Sequence, residues 1–290
     1  MNKFYIQIVF FLLSIFIYVN NKTLATELAP EENTKTKEET KTKPKRRYPT
    51  PEEIYEKNKQ LLCTDPKEIE NAVELMNEAI IHLAYHATSK DDYELCESNL
   101  SYNNTFSKKK HGDTVVQRIS FIYHVHTYNA ITNILWDPAL ANKFNNSSVK
   151  RKIARVYNPN LVIIQQRYKS WFASEIFLCF SCKISEKKTI IVMTSANIND
   201  HNSKNKHSYK NTIIENANLF TTDINSENDI RRGKLKKTFV NIAGYLIEKK
   251  GLYINITYLE SIDGHTSNYE DLIKVRYLNK FFHYKKKWLL

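Results

Sequence analysis

His82 and His86 stand one helical turn apart, a spacing that lets two imidazoles share a zinc ion. No Glu follows His82 as a zinc protease needs, and no third ligand is evident. The pair therefore reads as a helix-surface pair, and no metal is expected. His124 and His126 share one side of an extended run and read the same way. Cys179-Phe180-Ser181-Cys182 has the two-residue gap of zinc and redox sites. A second such gap is missing, and the run reads as a strand, which points the two thiols to opposite faces. Two core cysteines are expected there. Cys63 and Cys96 bracket a helix and are expected to pair as a disulfide in an oxidising compartment, clipping that helix at both ends. Paired acids such as Asp91-Asp92 and Glu52-Glu53 sit at turns and helix starts, where capping accounts for them. There is no Gly-x-Ser-x-Gly elbow, no phosphate-binding Gly-rich loop and no His-Glu-x-x-His. Binding rather than catalysis is expected, with no cofactor.

The elements that would position a binding site gather at the end of the chain. Leu252, Ile254, Ile256, Tyr258 and Ile262 alternate with Tyr253, Asn255, Thr257 and Ser261, the period of a half-buried strand. Phe239 to Ile247 is its partner, and Lys249-Lys250-Gly251 joins the two as a hairpin. At Ser267 to Glu270 the spacing becomes that of a capping box. Leu272, Ile273, Val275, Leu278, Phe281 and Phe282 then recur at helical spacing over a broad stripe. A hairpin feeding such a helix suggests a helix lying in the concave face of a curved sheet, with a cavity beneath it.

At 290 residues, with 42% hydrophobic and 26% charged residues, the chain is globular in composition. The net charge of +12 favours anionic partners, but the basic residues form no stripe and no nucleic-acid motif is present, so nucleic acid is not expected. Met1 to Ala25 has the charged start, apolar run and small-residue cleavage site of a secretory signal. Residues 26–50 are a Thr, Lys, Glu and Pro linker that cannot bury a core. Thr50-Pro51-Glu52-Glu53 and Asp65-Pro66-Lys67-Glu68 each place a cap, a Pro and a Glu at helix-start spacing. A third helical run, Thr127 to Trp136, interrupts a β-rich stretch. The strands expected are Tyr93–Cys96, Thr105–Lys110, Thr114–His124, Val149–Tyr157, Leu161–Tyr168, Ile176–Ile184, Thr189–Ile198 and Asn211–Phe220. Without crossover helices between them, an antiparallel meander is expected. The whole reads as one α+β domain, residues 51–284, with a basic tail at 285–290.

The runs TPEEIYEKNKQLLCTDP, ELMNEAIIHLAYHATSKDDYELC, ILWDPALANKFNNSSVK, ARVYNPNLVIIQQRYKS, TIIVMTSANINDHN and FVNIAGYLIEKK with ITYLESIDGHTS resemble the fam-a family of rodent malaria parasites. That family carries a START-like lipid-binding domain. The resemblance implies a helix-grip fold, a curved antiparallel sheet around a long C-terminal helix with helices at the N-terminus. It also implies secretion, and for many members export to the host cell or the parasitophorous vacuole. The export pattern Arg-x-Leu-x-acid is matched poorly by Lys22-Thr23-Leu24-Ala25-Thr26. Trp136-Asp137 resembles the Trp-Asp after the first inserted START helix, and Arg167-Tyr168 resembles the basic-aromatic start of a strand pair. Gly264-His265-Thr266-Ser267 replaces the usual Gly-Trp-Ile-Pro, which makes the loop before the lid more polar.

The resemblance implies non-enzymatic phospholipid binding and transfer, with a phosphatidylcholine-like ligand and transient contact with a membrane surface. A choline headgroup favours aromatic faces, so Trp136, Tyr157 and Tyr168, with Arg167, are the candidate lipid contacts. The helix carrying Leu272 to Phe282 is the candidate lid. The alternative is an exported surface antigen or adhesin that keeps the fold as a scaffold. N-terminal sequencing of the secreted protein should find Thr26 first; retention of Met1 to Ala25 would show an uncleaved anchor.

Overall fold

The computed structural model describes residues 49–99, 104–124, 128–138, 149–169, 174–185, 188–204 and 209–263. The expected signal segment, nearly all of the expected linker, the expected lid helix and the basic tail lie outside the described residues. Helix α1 (Pro51–Lys57) begins as its sequence predicts. The Thr50 side chain accepts from Glu53 N–H, and the Glu53 carboxylate accepts from Thr50 N–H. Helix α2 (Pro66–Thr88) is capped by Asp65, which accepts from the N–H groups of Lys67 and Glu68. The reciprocal half is absent there, because Glu68 turns to the sheet instead. Ala72, Leu75, Met76, Ala79, Ile80 and Leu83 are buried at three- and four-residue spacing, the stripe of a helix laid on a sheet. Helix α3 (Tyr128–Trp136) follows the expected bounds closely.

Among the described residues the strands are β1 (Glu94–Asn99), β2 (Asn104–His111), β3 (Thr114–His124), β4 (Val149–Asn158), β5 (Leu161–Lys169), β6 (Ser174–Ser185), β7 (Lys188–Thr194), β8 (Asn197–Asn199), β9 (Thr221–Asp223), β10 (Lys236–Thr238), β11 (Val240–Lys250) and β12 (Tyr253–Ile262). The main sheet runs β1-β2-β3-β12-β11-β7-β6-β5-β4, every neighbour antiparallel. Strand β10 adds to β6 in parallel, and β8 and β9 form a separate parallel pair. The simple meander is thereby corrected. Two meanders, β1–β3 and β4–β7, are joined by the β11–β12 hairpin inserted between them.

Alternation sorts the side chains onto two faces. Val116, Leu161, Ile163, Val192, Ile242, Leu246 and Leu259 pack with the stripe of α2. On the opposite face Ile119, Phe121, Ile247, Ile254 and Ile256 pack with Tyr128 and Ile131 of α3. Val156, Val162, Ile164 and Ile191 pack with Trp136 and with Ile54 of α1. Where Leu83 of α2 packs on the sheet, β11 has Gly244. A Cβ there would lie 2.5 Å from Leu83 Cδ1 and 2.2 Å from the Ile191 carbonyl oxygen.

Other expectations fail for physical reasons too. Asn211–Phe220 is not a strand but a loop leading into helix α4 (Asn216–Leu219). Asn211 Oδ1 accepts from Ile213 and Ile214 N–H, and the Glu78 carboxylate accepts from Glu215 and Asn216 N–H. Side chains thus take the donors that a strand would offer. The expected strand Thr189–Ile198 breaks at Ser195-Ala196, where β7 ends before β8 begins. Cys63 and Cys96 are free thiols. Cys63 N–H donates to Val156 O on the β4 edge, whereas Cys96 lies on β1 at the other edge of the sheet. The 23-residue helix between them is about 34 Å long, so flanking it in sequence separates the two in space. A short helix α5 (Asn228–Arg231) and strand β10 had no sequence signal strong enough to read.

His86 is buried rather than on the helix surface. Its Nδ1 lies 3.1 Å from Tyr93 Oη, and its ring meets that of His111 edge-on at 5.6 Å. Burial, reinforced by the charges of His111, His82, Lys109 and Arg118, lowers its pKa from 6.5 to about 4. His82 is lowered as well, chiefly by burial.

Two predictions follow from this packing. Gly244→Ala should destabilise the fold by about 3 kcal/mol, because strand or helix must shift to admit the methyl group; chemical denaturation measures it. The second concerns pH. His86 stays neutral in the fold but protonates readily once unfolded, so its contribution is complete above pH 6.5 and is lost as pH falls toward about 4. That is worth roughly 3 kcal/mol. The melting temperature should drop across this interval, and His86→Phe should flatten the drop.

Candidate functional site

The predicted contacts are divided between the two faces. Trp136 is buried on α3, packed with Val162 and Ile164 on the face opposite α2. Tyr157 and Arg167 belong to the α2 face and are locked in ion networks. Tyr157 Oη donates to Glu68 Oε1 at 2.6 Å, and Arg155 Nη2 donates to Glu68 Oε2 at 2.7 Å. Thr222 Oγ1 donates to the same carboxylate at 2.7 Å. Burial raises the Glu68 pKa, but the hydrogen bonds from Tyr157, Thr222 and Arg155 outweigh it and hold the carboxyl below its usual range. Arg167 forks onto Asp229 at 2.5 and 3.1 Å and also pairs with Glu227 at 2.8 Å. Glu227 further accepts from Lys152, and its pKa falls to about 2 because these bonds overcome its burial. These paired groups hold α2 and the β9–β10 segment to the sheet, and within them the buried Arg155 Nε has no hydrogen-bond partner among the described residues. Tyr168 is on β5, paired with Val149 and Glu175, and its side chain lies outside the described residues.

A cleft of about 570 Å³ opens on the same face, bordered by Glu68, Arg155, Asn197, Thr222, Asp223 and Lys237. Ala196, Ile198, Tyr209 and Phe239 also line it, but polar and charged groups predominate, which does not suit acyl chains.

The opposite face has the other character. Tyr245 and Tyr258 meet with ring centres 4.8 Å apart and are half-buried. Phe106, Leu135, Met193 and Ile262, also half-buried, extend the band around them. Tyr258 Oη donates to Glu260 Oε2 at 2.5 Å. Burial raises the Tyr245 phenol to about 12 and the Tyr258 phenol well above its normal value, and the positive charge of Arg151 partly opposes both shifts. Arg151 Nε itself donates to Gln166 Oε1 at 2.5 Å. Apolar side chains therefore surround one guanidinium, two phenols and one carboxylate. No nucleophile stands beside a base in this group, and the phenols stay protonated at neutral pH. What it offers is apolar area with a few hydrogen-bonding and charged groups in its midst, the composition of a ligand site.

Sequence reasoning missed Tyr245, Tyr258, Glu260 and Arg151. The first three sit on the hairpin strands whose alternation was legible, but no local signal separates a wall residue from a core residue. Among the described residues no group of three His, Cys, Asp or Glu side chains is placed to hold a metal, and no helix is long and apolar enough to cross a membrane.

No family model and no curated protein matches the chain. Solved structures do. Human StAR-related lipid transfer protein 5 aligns with a TM-score of 0.51 at 11% identity, over 73% of this chain and 93% of that one. Human STARD10 aligns less closely, with a TM-score of 0.44 at 13% identity, over 71% of this chain and 76% of its own. At such identities the likeness concerns fold alone. The chain carries a START-like fold, α+β and built on one large antiparallel sheet.

Proposed function

We propose that the chain binds a phospholipid on the sheet face opposite α2 and carries it between membranes without chemical change. The observation that supports this is the half-buried apolar band around Arg151, Tyr245, Tyr258 and Glu260. A zwitterionic choline headgroup fits these groups: the guanidinium for the phosphate, and the tyrosine faces with a carboxylate for the quaternary ammonium. Burying acyl chains gains about 0.8 kcal/mol per methylene against water, but almost nothing against a bilayer, which is equally apolar. Selectivity must then come from the polar groups. The resemblance to fam-a supports the further proposal that the chain is secreted and acts in the host cell or the parasitophorous vacuole, with the Leu272 to Phe282 helix as lid.

A second reading, a surface antigen that keeps the fold as a scaffold, is favoured by one observation: the 570 Å³ cleft among the described residues is polar and on the other face. Mass spectrometry of lipids extracted from the purified chain separates the two. Phosphatidylcholine should be found, and transfer between vesicles should be measurable. Arg151→Gln should lower affinity for every phospholipid about tenfold, as loss of one charged hydrogen bond implies. Glu260→Gln should lower affinity for choline lipids more than for others. A chain that carries no lipid and accepts none from vesicles would leave the scaffold reading.

A further inference from the structure

The β11–β12 hairpin turns through Gly251 and Leu252. Gly251 has φ +61°, the left-handed conformation that a two-residue turn needs. A Cβ at Gly251 would meet nothing within 4 Å, so the tip projects into open space. Turn apices favour Gly, Asn and Asp, whose backbone preferences suit them. Leu252 has no such advantage, and 73% of it is exposed. Tyr253 is 49% exposed and Ile122 on β3 is 47% exposed. Tyr253 pairs with His124, and Asn255 pairs with Ile122. Tyr253 and Ile122 are therefore diagonal neighbours on one face, with Leu252 at their end. Lys249 and Lys250 are exposed at the end of β11: Lys250 pairs with Tyr253 and shares its face, while Lys249 is on the other face of the tip, its Nζ 4.3 Å from the centre of the Tyr128 ring. Glu248 is the nearby acid, already paired with Lys188 at 2.7 Å and facing Lys250 at 3.7 Å.

We propose that this hairpin tip is a docking surface for an anionic lipid bilayer. Leu252 enters the headgroup boundary, Tyr253 lies at the interface, and the lysines face anionic headgroups. Charge complementarity selects this occupant. Size does so too: three apolar side chains fall far short of the roughly 800 Å² per side of a stable protein interface, but suit shallow, reversible insertion. The proposal names the membrane partner of the transfer reading and rests on that reading for its purpose.

The test uses the full chain and sedimentation with vesicles of phosphatidylcholine containing about 30% phosphatidylserine. Binding should weaken as salt shortens the Debye length below about 10 Å. Leu252→Asp should weaken it about tenfold or more, with the circular dichroism spectrum and extracted lipid unchanged. Leu252→Trp should bind at least as well, with emission that shifts to the blue on vesicles and is quenched by brominated acyl chains. Unchanged binding by Leu252→Asp, or unshifted emission from Leu252→Trp, overturns the proposal. So does a dimer in sedimentation velocity that Leu252→Asp dissociates, which makes the tip a contact between two copies. A chain that holds no lipid yet docks on anionic vesicles through Leu252 upholds the docking surface while refuting lipid transfer.

Discussion

The long helix packs against the sheet where β11 has no side chain. At Gly244 the side chain of Leu83 and the backbone of β7 occupy the space a Cβ would need. The fully buried Leu75, Met76 and Leu83 of α2 depend on that approach. Each is worth roughly 1.5–3 kcal/mol of burial, so lifting the helix by even a fraction of its diameter would forfeit much of the core. Among the described residues the sheet's opposite face packs with the shorter α1 and α3, and Tyr245 and Tyr258 stay half-buried there.

The two faces also treat charge differently. Beside α2, carboxylates and guanidiniums come in matched sets: Glu68 with Arg155, and Asp229 and Glu227 with Arg167. These sets link segments far apart in sequence. Residues 68 and 155 belong to the first long helix and a middle strand; 167 and 229 belong to a middle strand and a late helix. Across the sheet, polar groups are few and stand in an apolar setting, where each interaction is stronger than it would be in water. A face of that kind can discriminate among ligands.

The sequence made some of this visible and hid the rest. The hairpin was legible because Ile254, Ile256 and Tyr258 alternate with more exposed residues, and α1 because Thr50 and Glu53 form both halves of a cap. Strand β4 was not legible in its facing. Its register shifts twice, between Ile153 and Arg155 and again between Val156 and Asn158. Counting by two therefore fails along it, and Tyr157, an aromatic that resembles a ligand contact, turns to α2. Glu68 was hidden by a plausible local role: its helix-start spacing explains it fully until Arg155, Tyr157 and Thr222 arrive from elsewhere. The disulfide expectation failed similarly. A helix that looks like a span to be clipped is also a rigid spacer, and here it carries Cys63 and Cys96 to opposite edges. Neither long-range pairing nor the side chains that replace a strand at Asn211 leave a periodic trace.

The place of the β11–β12 hairpin has a consequence for how the chain is made. Synthesis delivers β1–β3 first and β4–β7 next, but no strand of one meander pairs with the other. Until residues 240–262 emerge, β3 and β7 each present an open edge, and open edges invite pairing with foreign strands. The contacts that close the sheet, such as Ile256 with Phe121 and Ile247 with Thr189, span long stretches of sequence, and folding slows as such separations grow. Closure of the sheet is thus deferred until residues 240–262 have been made. A chain cut short before Val240 would be two separate meanders with sticky edges, prone to aggregation rather than partly functional.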